Sequence, residues 1–278
     1  MQPHISIGNV KIGPEMPLGI IAGPCVLEDM ETNRKIAGML QETCSDLGLP
    51  LVFKASFDKA NRTSMRSHRG PGIEEGLGML SKIKDEFDVP LTTDVHLPEQ
   101  ASMAAEVAEL LQVPAFLCRQ TDLLQACAET DRPVNVKKGQ FLSPAEMSHP
   151  LEKLSSCGCQ ESMLTERGTF FGYHRLVNDF IGLGDLMELG VPVCFDVTHS
   201  TQLPGAGADV TAGRPDRAGL LARASVAAGV HALFIECHPD PASAMSDGST
   251  MQTLEAAERL LREVAAIRHV MESDAAAT

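Results

Sequence analysis

Short apolar, β-branched runs alternate eight times with amphipathic stretches of helical length, and this alternation limits the possible folds more than any other feature of the chain. The strand candidates are residues 18–23, 50–56, 89–95, 113–118, 133–138, 161–166, 191–198 and 231–237. The helix candidates are residues 29–47, 73–87, 98–111, 121–130, 143–156, 175–189, 215–228 and 251–271. Pro98 and Pro144 stand at helix starts, where a missing N–H costs little, and Gly190 and Gly229 follow apolar helices as stops. Eight such alternations imply parallel strands joined by right-handed crossovers. An open doubly wound sheet would favour a glycine-rich dinucleotide loop after its first strand, whereas this strand ends AGPCVLED. The expected fold is therefore α/β, a (β/α)8 TIM barrel. Residues 1–15 read as a short β-hairpin, turning at Gly8-Asn9, that caps the barrel bottom. No linker or low-complexity stretch divides residues 1–278, so one barrel domain is expected.

The net charge of 23 − 37 = −14 argues against nucleic acid or an anionic membrane as a partner. It leaves room for a small anionic substrate, because a local group of cations outweighs a distant field. No stretch approaches the roughly 20 apolar residues that cross a bilayer, and the N-terminus lacks a cationic, then apolar, leader. A cytoplasmic protein with reduced thiols is expected. The eight cysteines include no CxxC pair, and Cys157-Gly158-Cys159 is too tight for the usual zinc spacing.

Barrel chemistry sits at the C-terminal ends of the strands. Here those ends carry Lys54 and Ser56, then Asp94 and His96, Gln112 and Arg119, Asn135 and Lys137, Glu166 and Arg167, Asp196 and His199, and Glu236. Any one of these reads equally well as a solvated rim residue. Together, Lys54, Lys59, Arg62, Arg119, Lys137 and Arg167 predict a cationic mouth, and an anionic phosphorylated substrate is the natural counter-charge. A second group, Cys25, His199, Glu236 and Asp247, falls on the ends of strands one, seven and eight and the last loop. Its donors suit a divalent metal. Its spacing suits equally a buried, inert thiol beside a hydrogen-bonded histidine.

The segment LVFKASFDKANRTSMRSHRGPG (51–72) resembles the KANRSS-type segment of the 3-deoxy-D-manno-octulosonate 8-phosphate synthases. TTDVH (92–96), PAFLCRQTDL (114–123), VNVKKGQF (134–141), TERGTFFGYHRLVND (165–179), FDVTHS (195–200) and HPDPASAMSDG (238–248) match the same family in order. The resemblance implies a cytoplasmic homotetramer that condenses phosphoenolpyruvate with D-arabinose 5-phosphate and water in lipopolysaccharide sugar biosynthesis. It implies phosphoenolpyruvate contacts from Lys54, Ser56, Lys59, Gln112, Ala115, Lys137 and Arg167. Arabinose 5-phosphate contacts fall to Asn61, Arg62, Thr63 and Phe116, with the sugar-phosphate site shared across a subunit interface. Lys59, Asp94 and His199 fall at the reacting centre. The cysteine after the first strand is similar to that of the metal-dependent members, which implies one divalent metal ion per subunit, Mn, Fe, Zn, Co or Cd, on Cys25, His199, Glu236 and Asp247. Cys237, next to a ligand position, is expected to offer a competing thiolate. The related heptulosonate 7-phosphate synthases, which use erythrose 4-phosphate, are the alternative, because Thr63 also occurs in their KPRTS segment. A non-catalytic sugar-phosphate-binding barrel is the alternative of another class.

Overall fold

The structure is a computed structural model that describes residues 3–61, 67–205 and 212–276. An antiparallel hairpin, β1 (Ile5–Ile7) and β2 (Val10–Ile12), leads the chain. The barrel follows as β3 (Gly19–Gly23), β4 (Leu51–Lys54), β5 (Leu91–Asp94), β6 (Leu110–Val113), β7 (Val134–Lys137), β8 (Ser162–Glu166) and β9 (Val193–Asp196). A short antiparallel pair, β10 (Gln202–Leu203) and β11 (Ala212–Gly213), precedes the last barrel strand, β12 (Ala232–His238). Neighbouring barrel strands are parallel, and β12 pairs with both β3 and β9, which closes the sheet. A two-residue strand, β13 (Gln252–Thr253), extends the edge of β12.

The helices between strands are α1 (Met30–Leu47), α2 (Ile73–Phe87), α3 (Pro98–Ala105), α4 (Thr121–Ala128), α5 (Ser148–Ser156), α6 (Phe180–Met187), α7 (Ala218–Ala227) and α8 (Leu254–Ala276). Local chemistry sets their ends. The Asp29 side chain accepts from Thr32 N at 2.8 Å to start α1, and Gly48, at φ 65°, ends it. Pro98 occupies the first position of α3, and Asp179 caps α6 by accepting from Ile181 N.

Every barrel strand is buried along its length, and its two faces belong to different layers. Outward residues such as Ile20, Phe53, Leu164 and Leu233 pack under the helices. Inward residues nearest the strand starts, Ile21, Val52, Leu110, Met163, Cys194, Ala232 and Phe234, form a separate apolar cluster with Ile5, Ile7, Val10 and Ile12 of the hairpin. Inward positions two residues later are Lys54, Gln112, Thr165, Asp196 and Glu236. The period of two thus carries each strand from apolar floor to polar mouth.

Three expectations are corrected. Residues 98–111 were expected as helix and 113–118 as strand, but α3 stops at Ala105 and the strand is Leu110–Val113. Glu109, joined to Lys84, accepts from Leu91 N at 2.9 Å and fixes the strand start, and Pro114, which has no N–H to donate, ends the ladder. Phe116 therefore sits on a 3-10 turn (Ala115–Leu117), 48% exposed. The helix expected at 175–189 shortens to α6, because Thr169 and Val177 pair antiparallel across a turn in which Phe171 has φ 72° and His174 φ 53°. Cys237 faces outward into the helical layer near Cys44, where burial pushes its thiol pKa up, so it offers the mouth no competing thiolate.

Candidate active site

The C-terminal mouth of the barrel opens into a cavity of ≈ 1020 Å³. Lys54, Lys59, Asn61, Asp94, His96, Gln112, Ala115, Phe116, Lys137, Arg167, His199, Glu236 and Asp247 line it. Ser56 and Cys25 are buried behind that wall, at 0% and 1% exposure. Arg119 is exposed and outside it, and Arg62 and Thr63 lie outside the described residues.

The cations are held mostly by the protein's own carboxylates. Lys54 Nζ meets Glu236 Oε1 at 2.5 Å and donates to the carbonyls of Pro24 and Cys25. That approach requires Gly23, since a Cβ there would lie 1.9 Å from the Lys54 carbonyl oxygen. Lys137 Nζ meets Asp196 Oδ2 at 2.6 Å and sits 3.5 Å from the centroid of the Phe234 ring. Lys59 Nζ is 3.6 Å from Asp94 Oδ2. The expectation that substrate supplies the counter-charge therefore narrows to Arg167. Among the described residues no carboxylate lies within ion-pair distance of it; its Nη2 donates to Gln202 Oε1 at 2.5 Å, and its Nη1 is buried without a partner. Burial lowers the Arg167 pKa, with nearby carboxylates opposing. An unpaired buried donor of this kind is costly unless a ligand accepts from it.

Two supports of the cavity have roles that the sequence reading did not assign, although it placed Asp196 and Glu166 at strand ends. Asp196 accepts from His199 N at 2.8 Å, and its other oxygen meets His199 Nδ1 at 2.8 Å, which turns Nε2 toward Glu236. Behind Arg167, Glu166 accepts from the amides of Arg167 and Gly168, and the buried Lys138 balances its charge at 3.3 Å. Both pairs follow strand parity, which was the available signal: Asp196 is inward two residues after Cys194, and Lys138 alternates with Lys137 to the other face. A hydrogen-bonded belt crosses four strands and reaches the segment after β4: Thr165 donates to Asn135, Asn135 to Gln112 and Gln112 to Asp94, which also accepts from Ser56.

Charge sets the protonation states. Burial alone would raise Asp94, but Lys59 and Lys54 outweigh it and hold its pKa well below the usual carboxylate range. Burial would likewise raise Glu236, but Lys54 and His199 outweigh it and lower its pKa to about 2. Lys59 loses by burial and gains more from Cys25 and Asp94, so its ammonium is held well above its ordinary range.

Cys25, Glu236 and Asp247 place one ligand atom each within 4.8 Å of one another, and His199 Nε2 lies 3.6 Å from Glu236 Oε2 and 3.9 Å from Asp247 Oδ2. Glu236 Oε2 is buried with no hydrogen-bond donor. A thiol, an imidazole nitrogen and two carboxylates facing one point, one of them orphaned, fit a divalent ion.

The DAHP synthetase I family profile matches residues 2–272. The chain belongs to the DAHP synthetase I family. Within that family, curated relatives carry the name 2-dehydro-3-deoxyphosphooctonate aldolase. The one from Granulibacter bethesdensis is 49% identical over 260 residues, 94% of this chain and 92% of that protein. The one from Desulfatibacillum aliphaticivorans is 49% identical over 269 residues, 96% and 98% of the two chains. The one from Nitratidesulfovibrio vulgaris is 50% identical over 248 residues, 89% and 91%. The DAHP synthetase I barrel thus accounts for nearly the whole chain, and its mouth is where Lys54, Lys137 and Arg167 converge.

Proposed function

We propose that this enzyme condenses phosphoenolpyruvate with D-arabinose 5-phosphate and water, giving 3-deoxy-D-manno-octulosonate 8-phosphate and inorganic phosphate for lipopolysaccharide sugar synthesis. The observation that carries the reading is the buried Arg167 guanidinium on the cavity wall, with an unpaired donor and no carboxylate partner among the described residues, in a chain of net charge −14. The eight-carbon phosphooctonate in the relatives' name favours the five-carbon sugar over erythrose 4-phosphate.

Arg167, Lys137, Gln112 and the amide of Ala115 bind the phosphoenolpyruvate phosphate; Lys54 and Lys59 bind its carboxylate, with Ser56 acting through Asp94. Asn61, Arg62, Thr63 and Phe116 receive the sugar phosphate. C3 of phosphoenolpyruvate attacks the aldehyde carbon, water adds at C2, and the C–O bond to phosphate breaks. Holding two polyanions on fixed cations removes the entropy of their encounter and balances charge as it develops. Asp94 stays ionised and steadies Lys59 at the reacting centre. Asp196 orients His199.

Cys25, His199, Glu236 and Asp247 would hold one divalent ion, and Mn, Fe, Zn, Co and Cd all suit this donor set. When bound, such an ion supplies a Lewis acid that polarises a carbonyl oxygen or acidifies a water.

The proposed assembly is a cytoplasmic homotetramer of one-domain subunits, with the sugar-phosphate end of each site at a subunit boundary. Phe171 and Tyr173, 98% and 93% exposed on the turn after β8, support a covered mouth. None of the described helices is long and apolar enough to cross a membrane.

The test is phosphate release from phosphoenolpyruvate plus arabinose 5-phosphate, using chelator-stripped protein before and after a divalent metal is restored. Release only after restoration is expected. Release by stripped protein overturns the metal assignment alone. Silence in both conditions, with release on erythrose 4-phosphate, overturns the substrate.

A further inference from the structure

Glu28 lies three residues beyond Cys25 and contributes no ligand atom to the mouth, yet only 8% of its side chain is exposed. One carboxylate oxygen accepts from the backbone N–H of Met245 at 3.0 Å. The other faces His238 Nε2 at 3.4 Å. His238 Nδ1 accepts from Asp240 N at 3.1 Å, which leaves Nε2 on the side of Glu28, close to its carboxylate but without a hydrogen bond to it. Asn33, fully buried in α1, clasps the Glu28 backbone from behind: its Oδ1 accepts from Glu28 N and its Nδ2 donates to Glu28 O.

The segment gripped this way is the loop that carries Asp247. Cys25 Sγ contacts both Ser246 Oγ and Asp247 Oδ2 at 3.2 Å. The loop closes on itself at Gly248, where a Cβ would lie 2.1 Å from the Pro241 carbonyl oxygen. Asp247 holds φ 49°, a left-handed conformation that surrounding contacts must maintain. Among the described residues no Lys or Arg is paired with Glu28, so its carboxylate holds one loop amide by a hydrogen bond and lies against the His238 ring at the end of β12.

We infer that Glu28 is a positioning residue, a strap that fastens the loop between β12 and β13 to the segment after β3 and so keeps Asp247 within reach of Cys25 for a divalent cation. The inference rests on the metal reading above and assigns part of the ion's affinity to a side chain that never touches it.

Chelator-stripped protein titrated with Co(II) reads this directly, through the near-ultraviolet thiolate-to-cobalt charge-transfer band and through competition with a chelating dye. Glu28→Ala is expected to weaken Co(II) binding by about tenfold or more and to lower band intensity per bound ion. Phosphoenolpyruvate affinity of the stripped protein, by calorimetry, is expected to stay within about twofold. Glu28→Gln keeps an acceptor for Met245 but turns a donor toward His238, and falls between. Wild-type affinity and band in Glu28→Ala overturn the strap and leave the metal reading intact. Absence of the band from the wild-type protein overturns both. An equal loss of phosphoenolpyruvate affinity marks a general structural role and also overturns it. Should circular dichroism show Glu28→Ala unfolded, the Gln variant decides, and wild-type affinity in it overturns the proposal.

Discussion

At the floor of the barrel the inward positions are Val52, Leu110, Cys194 and Phe234, sealed by the isoleucines of the hairpin; two residues further along the same strands they are Lys54, Gln112, Asp196 and Glu236. The floor satisfies itself, since these side chains pack against one another in one apolar cluster. The mouth does not: the Nη1 of Arg167 and the Oε2 of Glu236 are buried without a hydrogen-bond partner among the described residues. One end of the strands is built for stability and the other retains unmet polar demand, the usual mark of a place where something binds. The division also makes the two ends separable by experiment.

The largest effect is expected at the mouth. Arg167→Met should lower kcat/KM for phosphate release by about a thousandfold, roughly 4 kcal/mol of transition-state stabilisation. The same variant should unfold at or above the wild-type urea midpoint, because it removes a buried charge that forms no ion pair among the described residues. A clear loss of stability would mean that Arg167 holds the barrel together. Next comes the floor. Ile7→Ala should cost about 3 kcal/mol in urea unfolding by leaving a cavity under the strands. Phosphate release per folded enzyme should stay within about twofold, and a parallel fall in turnover would end the separation of the two ends.

The smallest effect is a pH dependence near the floor. Burial lowers the His231 pKa to about 4, and its Nδ1 accepts from Val193 N at 2.9 Å. The folded protein therefore binds this proton less readily than the unfolded chain, whose histidine titrates near ~6.5. The contribution is whole above that value, is lost as pH falls toward 4, and is flat below. Allowing for partial exposure, wild-type protein should lose about 1 kcal/mol more than His231→Gln between roughly pH 7.5 and pH 5, read from urea midpoints.

The floor and the helices were largely legible in the sequence because the two periods, 2 and 3.6, are written in residue size and polarity. Seven of the eight expected strands overlap the observed ones over most of their length, and the eighth slipped for a physical reason. Ala108 to Val113 continues the apolar pattern of α3, so only the Glu109 contacts and Pro114 mark the change. At the mouth, the period identified Lys54, Lys137 and Glu236 as inward and could not say which cation meets which anion. The Lys54–Glu236 pair joins residues 182 apart, and Lys137–Asp196 joins residues 59 apart. The pairing depends on barrel closure, which no local window contains. The same holds for Glu28, whose partners lie 217 residues away at Met245 and on the neighbouring strand at His238.

The belt of side chains above the floor has a direction. Thr165 gives to Asn135, Asn135 to Gln112, and Gln112 to Asp94, which Ser56 reaches from the opposite side. Every arrow ends on one carboxylate, and none leaves it. Asp94 is thus the terminus of a one-way relay of dipoles, held as an acceptor and poorly suited to take a proton from a substrate. An Asn135→Asp change would break the relay: the new carboxylate can give nothing to Gln112, whose amide then stands between two acceptors and must leave its oxygen against one of them. One atom exchanged two strands away would then disturb the group that fixes Asp94.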